Sequence, residues 1–381
     1  MTPKTEAFRS AGGARIYRIP IHLFPELWGF AHLVVADGLV ALVDVGSGFG
    51  DSNDHLELGL RAVKSDYDEA IEWSDLTHVL ITHGHIDHFG GLAYVKERTS
   101  APIGIHELDR RVLTGYEERL ATVAGKLSQY LTESGITAEE HEDLMNLYLL
   151  NKQLYTSQSV DFTFEAIGMQ IGPVEITHVP GHTPGQVVML VHDVLLSADH
   201  ILERISPHLA PERLTLNTGL DHYLESLENS KTLVDRTKLV LGGHEGPFRD
   251  LAARIDATRS LYEDRLAQVL DLARAPTMVT DAPASMMVND ERSSMTIAEL
   301  AHKLFGETAG YHRLLALEEA GAYVEYLSMR GYLSVADLES LERGDVAPIR
   351  YQSTYEGSFA FQRGQPTAVR EDKSGELDVR I

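Results

Sequence analysis

The segment Ile81–Gly91, ITHGHIDHFGG, limits what this chain can fold into more than any other. It sets His83, His85, Asp87 and His88 within six residues, directly after a short apolar run. Two spacings of two and an adjacent Asp-His pair do not match one helix face, where neighbours stand three or four apart. They suit a tight loop at a strand end that wraps two cations, with Gly84 and the Gly90-Gly91 pair letting the backbone turn closely around them. A lone His-x-His pair reads first as surface or core; four potential ligands in six residues is a far narrower pattern. Three later segments each offer one more at the end of an apolar run. VPGHTPGQ holds His182 in a Pro/Gly-framed loop, LLSADH ends in Asp199 and His200, and VLGGHEGP places His244 just past a strand. The chain has no cysteine, so thiolate sites, disulfides and Cys nucleophiles are excluded. Any metal is held by imidazole and carboxylate.

Along the chain, the first 105 residues read as strands with one helical stretch, including a hairpin over His32–Gly46 around the turn Asp37-Gly38. Leu113, Tyr116, Leu120, Val123, Leu127 and Leu131 then recur at helical spacing. A second helix starts at Thr137, with Glu140 completing a capping box, and its apolar face runs through Leu144, Leu147, Tyr148, Leu154 and Tyr155. Residues 108–157 are therefore expected to be an inserted helical hairpin. Strands resume from Val160 to Ser197 with a turn at His192-Asp193, followed by a helix over Asp221–Lys231 and the strand TKLVLGG. A long helix with Ile255, Leu261, Tyr262, Leu266, Val269 and Leu270 on one face closes a unit spanning 1–274. Residues 275–295 read as a linker containing Met286-Met287, 296–345 as a helical unit capped by Thr296 and Glu299, and 346–381 as a loop tail with at most one short hairpin.

Lys plus Arg is 33 against 57 Asp plus Glu, a formal charge of −24. That balance repels a phosphate backbone and argues against extended nucleic-acid binding. The N-terminus lacks an apolar h-region, and no run approaches the roughly 18–20 apolar residues a membrane helix needs. A cytoplasmic protein is expected.

In their order, HxHxDH, PGHTPG, an Asp after a strand and GGH resemble the metallo-β-lactamase superfamily over about residues 15–275. The resemblance implies an α+β fold, a four-layer αββα sandwich with the metal site at one edge between two sheets. It implies that His83, His85 and His182 bind one metal, that Asp87, His88 and His244 bind a second, and that Asp199 bridges. Asp44, ending the strand ALVDVG, falls where the family has a carboxylate supporting the ligand loop. Zinc β-lactamases lack the bridging Asp, flavodiiron proteins carry an acidic residue at the place of His85, and glyoxalase II differs in its C-terminal part. SADHILERISPHL, LDHYLESL, GGHEGP and the stretch from Met295 to Leu333 look like the branch called lactamase-beta-like protein two, whose members append a winged-helix-like domain. Two departures stand in that text. Ala198 replaces a usual Gly, harmless where the backbone has negative φ, and His208 follows Ser206-Pro207 where another polar residue is expected.

Five imidazoles and two carboxylates suit two Zn²⁺ per chain, with Fe²⁺ or Mn²⁺ also possible. Two divalent ions, offset by Asp87, Asp199 and a bridging hydroxide, leave the site electrophilic, and bound water falls from a pKa of 15.7 to about 7. Hydrolysis is the expected chemistry, on a small thioester or ester. The alternatives are a phosphodiesterase or endoribonuclease, and a non-catalytic metal-binding regulatory protein; seven ligands with room for water speak against the last, because structural zinc sites are closed. Asp87 can orient the nucleophile, and His200 is the candidate proton donor to the leaving group. His106 and His208 are candidates for the cleft wall, while His78 reads as core and Tyr223 as core or rim. Residues 296–343 carry four basic and eight acidic residues, the wrong balance for reading a DNA groove. A packing or homodimer role is expected of that unit or of the inserted helices, whose aromatic faces fit either helix packing or a lid.

Overall fold

The computed structural model describes residues 3–274, 294–336, 346–355, Gly357, Phe359 and Phe361. One sheet holds seven strands in chain order: β1 (Glu6–Arg9), β2 (Arg15–Phe24), β3 (Leu27–Ala36), β4 (Leu39–Val43), β5 (His78–Leu80), β6 (Ile103–Ile105) and β7 (Phe162–Thr163). The second comprises β8 (Gln170–Ile171), β9 (Val174–His178), β10 (Val187–Val191), β11 (Val194–Ala198) and β12 (Leu239–Gly242), in the order β12-β11-β10-β9-β8. Both are mixed: β1–β4 and β8–β11 are antiparallel, whereas β4–β7 and the β11/β12 pair run parallel.

Parallel neighbours need a crossover, usually helical. The β4–β5 crossover carries α1 (Ser52–Tyr67), and β5–β6 carries α2 (Ile86–Phe89) and α3 (Leu92–Lys96). β6–β7 carries α4 (Glu107–Thr114), α5 (Tyr116–Glu133) and α6 (Ala138–Lys152), so the inserted helices are an enlarged crossover. α7 (Leu220–Ser230) joins β11 to β12, and α8 (Leu251–Leu272) follows β12. Beyond them lie α9 (Ile297–Phe305), α10 (Gly310–Met329) and the antiparallel pair β13 (Leu333–Val335) and β14 (Tyr351–Ser353). The linker expected over 275–295 falls almost wholly outside the described residues, as do Met286 and Met287 and most of the tail.

Period-two burial sorts the layers. In β10, Val187, Met189 and Val191 join the cluster between the sheets, with Val34, Ala41 and Leu80 of the first sheet. Val188 and Leu190 face the opposite way, into a core shared with α5, α7, α8, α9 and α10. The outer face of the first sheet packs Leu33, Leu42 and Val79 against Leu56, Leu60 and Val63 of α1. Helix, sheet, sheet, helix is the resulting order. The C-terminal helices share the core of α7 and α8, and the Tyr130 hydroxyl of α5 donates to the Leu317 carbonyl of α10 at 2.6 Å.

Local readings differ from this in four respects. The first inserted helix breaks at Gly115 (φ −133°, ψ 46°), giving three inserted helices where a hairpin was expected. α6 ends at Lys152, so Leu154 lies beyond it and is exposed. Thr137 caps α6 by accepting from the Glu140 amide, but the Glu140 carboxylate accepts from Arg313 of α10 at 2.6 Å instead of closing a capping box. Thr296 and Glu299, by contrast, cap α9 reciprocally. On α8, Leu261 is more than a third exposed, while the rest of its expected apolar face is buried.

Candidate metal centre

The expected ligands gather along one edge of the two sheets. His83 and His85 follow β5, Asp87 and His88 stand on the short helix α2 where a loop was expected, His182 lies between β9 and β10, Asp199 follows β11, and His244 follows β12. They form two groups, His83 with His85 and His182, and Asp87 with His88, Asp199 and His244; within each, the ligand atoms lie within 4.8 Å of one another. Two ligand atoms 2.0–2.2 Å from a tetrahedral ion stand about 3.3–3.6 Å apart. In the second group His244 Nε2 is 3.3 Å from Asp199 Oδ2 and 3.4 Å from Asp87 Oδ2, and His88 Nε2 is 3.4 Å from Asp199 Oδ2 and 3.7 Å from Asp87 Oδ2. The same Asp199 oxygen is 3.6 Å from His182 Nε2 and 4.0 Å from His83 Nε2. It stands between the groups. His83 Nε2, His88 Nε2 and Asp199 Oδ1 are buried with no hydrogen-bond partner in the protein, so the residues fit two cations.

In four of the five imidazoles the nitrogen that faces away from the centre is held, which sets its tautomer and ring orientation. His88 Nδ1 meets Asp44 Oδ2 at 2.8 Å, His244 Nδ1 donates to the Trp28 carbonyl at 2.9 Å, and His182 Nδ1 to the His208 carbonyl at 2.7 Å. His83 Nδ1 lies 3.1 Å from Thr82 Oγ1. Asp44 also accepts from the Thr82 amide at 2.8 Å and from the Thr82 hydroxyl, the supporting role expected of it.

Charge points the same way. Burial disfavours a charged imidazole at His88 and His244, yet Asp199 and its neighbouring carboxylates prevail, holding His88 well above the usual range and His244 at about 10. Asp199 stays well below the usual carboxylate range because His244 and His88 outweigh its burial. This second group is a place that demands positive charge. His83 and His85 are driven the other way by burial and stay neutral, the form that binds a metal.

Close backbone approach explains the glycines. Gly90 (φ −60°) and Gly91 (φ −76°) have negative φ that any residue adopts, so freedom of φ is not what they contribute. A Cβ on them would stand 2.2 Å from the Ser47 carbonyl and 2.4 Å from that of Val45. Ala198 has φ +45°, so the Gly-to-Ala exchange before Asp199 is not harmless: a side chain occupies left-handed backbone there.

His200 is buried, near enough to His182 for the two rings to act on each other electrostatically. Its ring is fully buried against Tyr223, Nε2 is 2.9 Å from Ser230 Oγ of α7, and burial lowers its pKa to about 3. A ring so enclosed is packing, not the proton donor expected. His106 caps α4, stacks on His178 at 3.9 Å and meets Glu165 at 3.0 Å, away from the ligands. His208 does reach the site, through its carbonyl on His182, while its Nε2 meets Glu318 of α10 at 2.8 Å. Tyr223, read as core or rim, is core; His78, read as core, is half-buried against Phe162.

Asp109, on α4, is the residue missed from the sequence. It is fully buried, and its carboxylate accepts from the Gly84 amide at 2.7 Å, the Thr183 hydroxyl at 2.7 Å and the Gly185 amide at 2.9 Å. One carboxylate thus clamps the two loops that carry His83, His85 and His182. Its only sequence signal was an acidic residue on a helix, which reads as a solvated face.

The sequence profile of the metallo-beta-lactamase superfamily matches residues 28–244, more than half of the chain and all seven ligand positions. The chain belongs to the metallo-β-lactamase superfamily. Within the superfamily, an uncharacterized protein of Mycobacterium leprae is 30% identical over 173 residues, covering 44% of this chain and 67% of that protein. A protein of Bacillus subtilis named a probable metallo-hydrolase is 27% identical over 186 residues, 47% of this chain and 72% of its own length. Two solved structures share the fold. A metallo-beta-lactamase family protein from Thermus thermophilus superposes with a TM-score of 0.64 at 22% identity, over 89% of this chain and 98% of its own. A beta-lactamase domain protein from Burkholderia ambifaria does so with a TM-score of 0.65 at 23% identity, over 91% and 93%. Among the described residues, no helix is long and apolar enough to cross a membrane.

Proposed function

We propose that this chain is a dinuclear metal-dependent hydrolase acting on a small thioester or ester, of the lactamase-beta-like protein two branch. The observation that carries the reading is Asp199 Oδ2, within 3.3–4.0 Å of imidazole nitrogens from both ligand groups. His83, His85 and His182 would hold one ion and Asp87, His88 and His244 the other, with Asp199 between them. Such a pair supplies Lewis acidity toward a carbonyl or phosphoryl oxygen and makes hydroxide available near neutral pH. The residues of the chain keep the site in register. Asp44 orients His88, the His208 and Trp28 carbonyls orient His182 and His244, and Asp109 clamps the loops. Asp87, more exposed than Asp199, would accept a hydrogen bond from the attacking water. The name of the Bacillus subtilis relative supports metal-dependent hydrolysis. A net charge of −24 supports a small substrate over a polyanion.

The test is a matched panel. Elemental analysis of metal-supplemented protein should give close to two transition-metal ions per chain, zinc being the first choice for this donor set. The same protein should hydrolyse acyl thioesters or activated esters in preference to lactones, a chromogenic phosphodiester and single-stranded RNA, with Asp199→Asn as the contamination control. One ion or fewer per chain would refute the dinuclear site. RNA cleavage lost in the variant, with thioesters untouched, would replace the esterase with a nuclease.

A further inference from the structure

Within electrostatic reach of Asp87 and His85 stand polar groups poorly partnered inside the protein, on α5, at the end of α6 and just beyond it. Lys152 is the last residue of α6 and half-buried, and among the described residues its ammonium has neither an ion pair nor a hydrogen bond. What it has is the Tyr148 ring, one turn back, at 5.8 Å. Its position is set from α5, where the Tyr116 hydroxyl donates to the Lys152 carbonyl at 2.9 Å. Arg119 of α5, also half-buried, makes one long hydrogen bond to Thr215 Oγ1 at 3.4 Å and no ion pair among the described residues. The Tyr155 hydroxyl is buried with no partner.

With 57 acidic residues in the chain, unpaired cations do not reflect a shortage of carboxylates. The carboxylates close enough to act on Lys152 are Asp87 and Glu318, and the one acting on Arg119 is Asp109. Each is committed elsewhere: Asp87 to His244 at 3.4 Å, Glu318 to His208 at 2.8 Å, and Asp109 to its three donors. Burial pushes the Lys152 ammonium below its usual pKa, against the pull of Asp87 and Glu318. Burial first and then Asp87 raise Tyr155 to about 12, so its hydroxyl stays neutral and able to donate. Holding a cation partly out of water without a direct ion pair is unfavourable, and more so beside divalent ions. An anionic group on the substrate would relieve that cost.

We propose that Lys152, with Arg119 and the Tyr155 hydroxyl, forms an anion-recognition pocket beside the metal centre, and that the substrate is an acyl thioester or ester bearing a carboxylate. The inference rests on the hydrolase reading and deepens it by naming what the far end of the acyl group carries. Two cations match one carboxylate; they make no track for successive phosphates.

The experiment compares the pentanoyl and glutaryl thioesters of N-acetylcysteamine, equal in chain length up to the terminal group, on metal-loaded protein. The wild type should prefer the glutaryl thioester, and in Lys152→Gln the ratio of the two kcat/KM values should fall about 10–100-fold, the range for a hydrogen bond to a charged group. Lys152→Arg should restore part of the preference, and Arg119→Gln should lower it less than Lys152→Gln. In parallel, glutarate binding is measured by calorimetry on the wild type and Lys152→Gln, each shown to be folded and to contain two ions. Weaker binding in the variant supports the pocket even if neither thioester is turned over, in which case the hydrolase reading fails alone. Equal glutarate binding in both proteins, or a wild type that does not distinguish the two thioesters it hydrolyses, overturns the pocket.

Discussion

Replacing Asp109 tests whether the centre is built by its ligands alone or by the clamp behind them. Oδ2 accepts from both the Gly84 amide and the Thr183 hydroxyl, and Oδ1 from the Gly185 amide. Asparagine keeps one acceptor oxygen. Placed to serve Gly84 and Thr183, it turns its NH₂ toward the Gly185 N–H, so a buried donor faces a donor. A hydrogen bond to a charged group contributes about 1.5–3 kcal/mol, and an unsatisfied buried donor costs about 1–3 kcal/mol. Against this stands the relief of no longer burying a carboxylate, whose pKa is raised chiefly by that burial. The balance is a loss of about 2–3 kcal/mol for Asp109→Asn, and more for Asp109→Ala, which abandons all three donors. Because Gly84 and Thr183 each neighbour a ligand of the His83/His85/His182 group, affinity at that site should drop about 10–100-fold, the cost typical of losing a supporting contact. Urea unfolding of metal-free protein measures the first effect, and competition with a chromophoric chelator the second. A variant that loses the stability but binds both ions as the wild type does would show that the loops are set without Asp109.

Other outcomes are as specific. Asp199→Asn should lose one ion preferentially and reduce turnover by at least roughly two orders of magnitude; full occupancy with near wild-type rates in elemental and kinetic analysis would remove Asp199 from the bridging position. Ala198→Gly relieves left-handed backbone, about 1–2 kcal/mol, against about 0.5–1 kcal/mol of added chain entropy, so thermal unfolding should show a small stabilisation; a clear destabilisation would contradict φ +45° at that residue. His106 has a folded pKa of about 4, lowered by burial and His178 against Glu165. The unfolded imidazole therefore takes up a proton first, and stability present above pH 6.5 is lost as pH falls toward 4, about 2 kcal/mol of it by pH 5. His106→Asn should flatten the pH 7 to pH 5 limb of the denaturation midpoint by that amount, and an unaltered limb would place the titration elsewhere.

The ligands were legible because they are local. Four of the seven lie within six consecutive residues, and the other three each end an apolar run that β-periodicity identifies. The helical spacing of α5 and α8 was readable for the same reason: a period of 3.6 is a property of adjacent residues. Asp109 was not readable, because its donors are 25, 74 and 76 residues away. Glu140 misled for the same reason, its carboxylate being drawn to Arg313, 173 residues on.

What adjacent residues could settle was the kind of site: imidazole and carboxylate, no thiolate, close to strand ends, in an acidic chain. What three dimensions decided was who faces whom. His200 adjoins Asp199 in the chain, yet its ring packs against Tyr223 and Ser230 of α7, whereas His208, Glu318 and Lys152 come to the centre or its approach from distant elements. The physical reason is that pairing of buried charge depends on distance in space and on which donors remain uncommitted. Neither quantity exists until β11, α6 and α10 have packed around the same edge.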